Sequence, residues 1–289
     1  MKLTKMVAAC AVAMACGAAS AVTIDGIVLP GGLTFSTITL FEGEKLSAAG
    51  NNNRYIDTVG ETLLGIGIVN QILDANNNIV WANGQNGREL TFVIDNFVAD
   101  SFSLTPFPGG SVGQASFSGG TVRLYSQAAG TLNTGAATQA AALASAMAGN
   151  LFLDLIGSPD GEESAAGNGI ARTLVSTQIN TSGGNPFLAS TNVTGQAFLD
   201  VVAGGGLAAS YFDTNTYGSV AGLFAGDDAD LKITSSGQLQ APGQGGEWGF
   251  RGTGEVEAFL VPTPGTLALA GLALVGVGAL SQRRKVAAA

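Results

Sequence analysis

The sequence predicts a mainly β protein, an antiparallel β-sandwich or jelly roll with one inserted α-helix and a C-terminal transmembrane helix. Three observations carry this reading. Apolar residues alternate with polar ones along many short segments, most clearly from Arg88 to Val98, where Leu90, Phe92 and Ile94 share a face opposite Glu89, Thr91, Val93 and Asp95. Glycine is abundant, with 43 of 289 residues, and clusters in turn signals such as Asn83-Gly84 and Asn86-Gly87. One uncharged apolar run, Thr266 to Leu280, lies close to the C-terminus.

The elements follow in order. Lys2 and Lys5 precede an apolar stretch from Met6 to Cys16, and Ala19-Ser20-Ala21 reads as a small-residue cleavage site, so residues 1–21 are expected to be a signal peptide removed by signal peptidase. Val22 to Leu29 reads as one strand ended by Pro30-Gly31-Gly32, and Thr34 to Phe41 as the next. Glu61 to Leu73 reads as a longer strand, with Ile66, Ile68, Asn70 and Ile72 on one face. Gly65 and Gly67 within it mark a bulge or a close backbone approach. Asp74 to Asn78 turns into Ile79-Val80-Trp81, giving a hairpin. Pro106 to Gly113 reads as a loop and Ala115 to Tyr125 as a strand. Gly135 to Ile156 is the helix candidate, because Leu143, Met147, Leu151 and Leu155 recur every four residues in an alanine-rich setting. Further strands are expected at Ala171 to Thr181, Val193 to Val202, Ala208 to Asp213, Ala229 to Ile233, Gly237 to Gln240 and Gly254 to Leu260. These make up an extracytoplasmic β-domain over residues 22–260, long enough for a sizeable core.

Composition narrows the chemistry. Histidine is absent, which removes Ser-His and Cys-His nucleophile pairs and His-ligated metals. Both cysteines, Cys10 and Cys16, fall in the signal peptide, so the β-domain has no disulfide and no thiolate ligand. The formal net charge is −9, and setting aside the five basic residues of the two terminal segments takes it to −14 for residues 22–260. Such a surface repels phosphates, so no nucleic-acid partner is expected.

The remaining chemical candidates are acidic or aromatic. Asp227, Asp228 and Asp230 crowd three carboxylates into four residues, a set that bound Ca²⁺ would stabilise. Asp74-Ala75-Asn76-Asn77-Asn78 opens like a calcium loop but has Ile79 and Gln85 where such a loop needs Gly and Glu, which favours a plain turn. No other cofactor is expected. Trp81 and Trp248 are candidate stacking platforms for sugar rings, or else core packing. A glycosidase would need two facing carboxylates, and nothing in the sequence pairs any two of its glutamates. The expectation is therefore a non-enzyme.

The tail has three parts: Val261-Pro262-Thr263-Pro264-Gly265, the apolar run to Leu280, and the basic cluster Arg283, Arg284 and Lys285. The run spans roughly 22 Å as a helix, and snorkelling basic side chains extend its reach towards a full bilayer. The basic end is expected in the cytoplasm, with everything before Val261 outside. This tail, residues 261–289, resembles the PEP-CTERM sorting signal of Gram-negative bacteria, departing from it at Thr263 where the family usually has Glu. The resemblance implies export through the inner membrane, recognition near Pro262 to Pro264 by an exosortase-type enzyme, and delivery to the cell surface, outer envelope or extracellular matrix. It also implies a structural or interaction role linked to exopolysaccharide, biofilm or floc formation. The alternatives are an uncleaved single-pass anchor, and a carbohydrate-binding module, Ca²⁺-dependent or not, on the same scaffold.

Overall fold

The computed structural model describes residues 21–46, 52–107, 110–158, 178–182, 192–214, 229–240 and 246–261. Twelve strands and two helices fall within them: β1 Val22–Ile24, β2 Ile27–Leu29, β3 Gly32–Glu44, β4 Thr62–Asp74, β5 Ile79–Ala82, β6 Arg88–Phe107, β7 Gly110–Ala128, α1 Gln139–Ala146, β8 Asn150–Gly157, β9 Gln178–Ser182, β10 Asn192–Val201, α2 Ala209–Phe212, β11 Leu231–Leu239 and β12 Phe250–Leu260. The protein is mainly β, as expected, but the sheet is a ring. β3, β4, β6, β7, β8, β10, β11 and β12 pair antiparallel in chain order, and β12 returns to pair with β3 over Gly32 to Glu42. The result is an up-and-down barrel rather than a sandwich or jelly roll. Closure leaves no open edge among the eight strands. β9 sits between β7 and β10 beyond the end of β8, so those two strands share one position in the wall.

Alternation decides which side chains face in. Ile38 and Leu40 of β3, Phe92 and Ile94 of β6, Leu153 and Leu155 of β8 and Leu199 of β10 join one interior core. Beneath them, interior glycines make room for rings. A Cβ on Gly67 would lie 2.1 Å from the Phe92 ring, which stands opposite it in register. A Cβ on Gly120 would lie 2.3 Å from the Phe97 ring, and one on Gly237 or Gly252 would lie 2.7 Å from Phe250. At these four positions glycine serves interior packing, with an aromatic ring covering bare backbone.

Each end of the barrel is closed differently. At the end holding the close of β12, the β1–β2 hairpin inserts Ile27 and Leu29 into the core beside Trp81 of β5. Asp25 ties the hairpin down through an ion pair to Arg88 and a hydrogen bond from Asn150 Nδ2 at 3.1 Å. At the opposite end Tyr55 and Ile56 fold inward from the loop after β3. On the outer wall, α1 packs against β4 and β6, burying Ala142, Ala146 and Trp248 against Phe41, Leu64, Ile66 and Val93.

Several expectations are corrected. Val22–Leu29 is a hairpin, because Asp25 and Gly26 both adopt positive φ, 47° and 82°, as a type I′ turn requires. The helix expected over Gly135 to Ile156 is confined to Gln139–Ala146, capped by Thr138 Oγ1, which accepts from Ala141 N at 3.2 Å. Asn150–Gly157 is a strand instead, since Leu151, Leu153 and Leu155 also repeat with period 2 and β7 has an edge to fill. Ala208 to Asp213, expected as a strand, contains the short helix α2. Ile66 and Ile72 do not share a face: the register shifts at Asn70, so Ile66 faces the outer cluster and Ile72 the interior. The expected Pro106–Gly113 loop is mostly strand, with β6 running to Phe107 and β7 starting at Gly110. The two short strands expected around Ile233 and Gly237 are one, β11. Among the described residues no helix is long and apolar enough to cross a membrane. Residues 1–20 of the expected signal peptide and the tail from Pro262 onward lie outside the described residues, as do Asp227 and Asp228.

Candidate binding sites on and within the barrel

The sequence-derived site residues resolve first. Trp81 is 0% exposed and Trp248 2% exposed, one in the barrel core and the other beneath α1. Neither presents an indole face, so stacking of sugar rings on these tryptophans is ruled out by their packing. Asp230 is buried and is a loop anchor. Its Oδ2 accepts from Val201 N at 2.8 Å and its Oδ1 from Thr214 N at 2.5 Å, so both oxygens already have backbone donors. Among the described residues no cluster of three metal-ligating side chains occurs. Asp74 behaves as a turn residue. Hydrogen bonds from the Asn78 side chain and backbone, with one from the Asn76 amide, hold its carboxyl below the usual range. Val261 continues directly from β12, and its N–H donates to Tyr211 O at 2.9 Å.

The buried glutamates Glu44, Glu61 and Glu89 have the same task as Asp230. Glu44 accepts the amides of Asn52 at 2.9 Å and Asn53 at 2.7 Å. Glu61 accepts those of Asp57 and Thr58 at 2.8 and 3.0 Å. Glu89 accepts Gly130, Thr131 and Leu132 at 2.8, 3.0 and 2.7 Å, plus Gln127 Nε2 at 2.9 Å. An ionised carboxylate that accepts several N–H groups is a strong tie for a loop.

Glu42 differs, being half-buried. It lies on the inward face of β3, continuing the series Ile38, Leu40, Glu42. Its side chain borders a cavity of ≈ 90 Å³ inside the barrel and a smaller one of ≈ 40 Å³ beside it. The larger is walled mainly by Leu63, Ala115, Phe117, Val193, Leu239 and Phe250, with Tyr55 at its mouth. A Cβ on Gly65 would lie 2.9 Å from Glu42 Cγ, so that glycine makes the space the carboxyl occupies. Desolvation, with no donor to the carboxyl among the described residues, raises its pKa from 4.5 to about 7. In the sequence Glu42 follows directly on the alternating stretch Thr34 to Phe41, two residues beyond Leu40. The signal was present, as an acid at an inward position of an alternating strand.

The second feature lies on the outside. Thr37, Glu255, Thr234 and Gln196 stand in register across β3, β12, β11 and β10, and Thr39, Thr253, Ser236 and Thr194 form the adjacent row. Most of these side chains line an open groove of ≈ 510 Å³. Thr194, Ser236, Thr253 and Glu255 are exposed. The inward residues beneath are Gly195, Ser235 and Gly254, which give the wall little thickness here. Arg251 lies over the Phe41 ring at 5.2 Å, one row farther along. The groove offers hydroxyls, one amide and one carboxylate, a set matched to a hydroxyl-rich ligand.

Compared with known protein families, curated proteins and solved structures, this chain matches none.

Proposed function

We propose that this chain is an exported structural and interaction protein of a Gram-negative cell surface or extracellular matrix, sorted by an exosortase-type enzyme acting on its tail. The observation that carries the proposal is the three-part tail, Val261-Pro262-Thr263-Pro264-Gly265, the uncharged run, and Arg283, Arg284 and Lys285. The barrel is consistent with a scaffold role. Its buried acids are spent on holding loops, and both tryptophans on packing. The closed ring suits a protein that works outside the cell without disulfides.

The surface proposed to meet exopolysaccharide is the Thr/Ser groove over β3, β12, β11 and β10. Its alternating hydroxyl rows offer donors and acceptors to a sugar chain, and its acid, Glu255, offers a further acceptor. The test is co-sedimentation of the full chain with exopolysaccharide from a producing strain. The variant Thr234→Val/Ser236→Ala/Thr253→Val keeps strand propensity and removes three hydroxyls. Loss of most of the bound fraction is expected. Undiminished sedimentation of the variant would refute the groove as the contact surface.

A further inference from the structure

We infer that the interior cavity beside Glu42 is a binding site for a small organic cation, a short methylated ammonium. The geometry sets the class. Glu42 is the acid of a cavity whose walls are otherwise largely apolar, and among the described residues it accepts no hydrogen bond. The neighbouring glutamates show what this protein does with a buried carboxylate it keeps for structure: it surrounds it with backbone amides. Glu42, half-buried on the cavity wall, receives none among the described residues, and Gly65 is bare where a side chain would strike it. The barrel leaves the acid accessible to the cavity.

The chemistry of the lining then excludes most ligands. A hard divalent cation needs six or more oxygen ligands, and one carboxylate with an apolar wall does not supply them. An anion would face Glu42 at short range in a low-dielectric space. A neutral apolar molecule leaves the carboxylate desolvated. A methylated ammonium meets each demand. Its N–H groups donate to Glu42, its charge compensates the carboxylate, and its methyl groups fill space against Phe117 and Phe250. Those ring faces also attract cations. At ≈ 90 Å³ the cavity is smaller than the ~150 Å³ that admits benzene, which restricts the ligand to a few heavy atoms.

Arg54 at the mouth does not compete for Glu42. Its guanidinium donates to Gly246 O at 2.9 Å and Gln240 O at 3.0 Å, and lies over the Tyr55 ring at 5.3 Å. Tyr55 Oη donates to Gln240 O at 2.5 Å. These contacts clasp the loop after β3 to the connection between β11 and β12, and they form the doorway to the cavity. A ligand entering from this end passes the clasp before it reaches the acid.

The probe is dimethylammonium chloride, which stays cationic across the pH range used. It is titrated into the full chain in non-ionic detergent, with the methyl resonances of Leu63, Val193 and Leu239 as reporters. Saturable shifts of those methyls are expected at pH 8.5. Affinity is expected to fall about tenfold or more in Glu42→Gln, which keeps the shape and removes the charge. The same loss is expected for the wild type at pH 5, where Glu42 is protonated. Thermal melting of Glu42→Gln establishes that it is folded, and Glu42→Asp, which keeps the charge on a shorter arm, is expected to retain partial binding. Absence of saturable shifts in the wild type at pH 8.5 would overturn the inference. So would equal affinity in the wild type and Glu42→Gln. Neither outcome depends on exopolysaccharide or on the tail.

Discussion

Glu42 and Glu44 lie two residues apart on the same face of β3, and their surroundings make them opposites. Glu44, at the strand end, meets the amides of Asn52 and Asn53. Glu42, one pleat deeper, meets an apolar cavity. Its folded pKa of about 7 lies above its ordinary 4.5, so the folded state holds the proton more tightly than the unfolded chain. The stabilising contribution is therefore full below pH 4.5 and is lost as pH rises through 7, a difference of at most about 3 kcal/mol because the half-buried carboxyl keeps some contact with water. In Glu42→Gln, melting at pH 8.5 is expected on the order of 5 to 10 °C above the wild type, with the gap closing by pH 4.5. Equal melting temperatures at pH 8.5 would show that the carboxylate is solvated in the folded protein. Gly67 gives a second expectation at this scale. A Cβ there meets the Phe92 ring at 2.1 Å and Thr39 O at 2.4 Å, so Gly67→Ala should destabilise by about 2 kcal/mol or more in chemical denaturation. Gly135→Ala, where the nearest atom is 3.7 Å away, should lie within about 0.5 kcal/mol of the wild type.

At the scale of elements, Glu89 anchors the connection from β7 to α1. Its two oxygens gather three successive amides, from Gly130 to Leu132, and the Gln127 side chain. Glu89→Ala removes the acceptor of all four donors at once and is expected to destabilise by roughly 3 kcal/mol or more. Amide exchange at residues 130–132 should accelerate beyond that of the barrel strands, while unchanged exchange there would place the anchor elsewhere. Strand alternation made β3, β4, β6, β7, β10 and β12 legible in the sequence, because each has one face on the core. The misread elements had competing signals. Leu143, Met147, Leu151 and Leu155 fit a helical period, yet Leu151 and Leu155 also fit a strand with Leu153, and pairing with β7 and β10 decided for the strand. In β4 the extra residue Asn70 swaps faces midway, which a constant period cannot register. Asp25-Gly26 was a readable hairpin turn hidden within an apolar run.

On the scale of the whole molecule, closure was the feature the sequence could not express. Alternation shows that a strand has an inside, but a sandwich and a barrel share that pattern. Only the pairing of β12 with β3 distinguishes them. The same long-range pairing assembles the outer hydroxyl rows from four strands spread between Thr37 and Glu255, and brings Glu42 to face Phe117 and Val193 across the interior. The burial of Trp81 and Trp248 was equally non-local, since each is covered by elements distant in sequence. The targeting reading depends on none of these contacts. It rests on local sequence, and the last described residue, Val261, passes directly from β12 into the motif. The decisive measurement is the intact mass of the protein in membrane, surface-matrix and medium fractions. A species beginning at Val22 and ending near Pro262 to Pro264, found outside the inner membrane, is the expected result. A species that keeps Arg283, Arg284 and Lys285 and stays in the inner membrane would contradict sorting and leave the tail as a plain anchor.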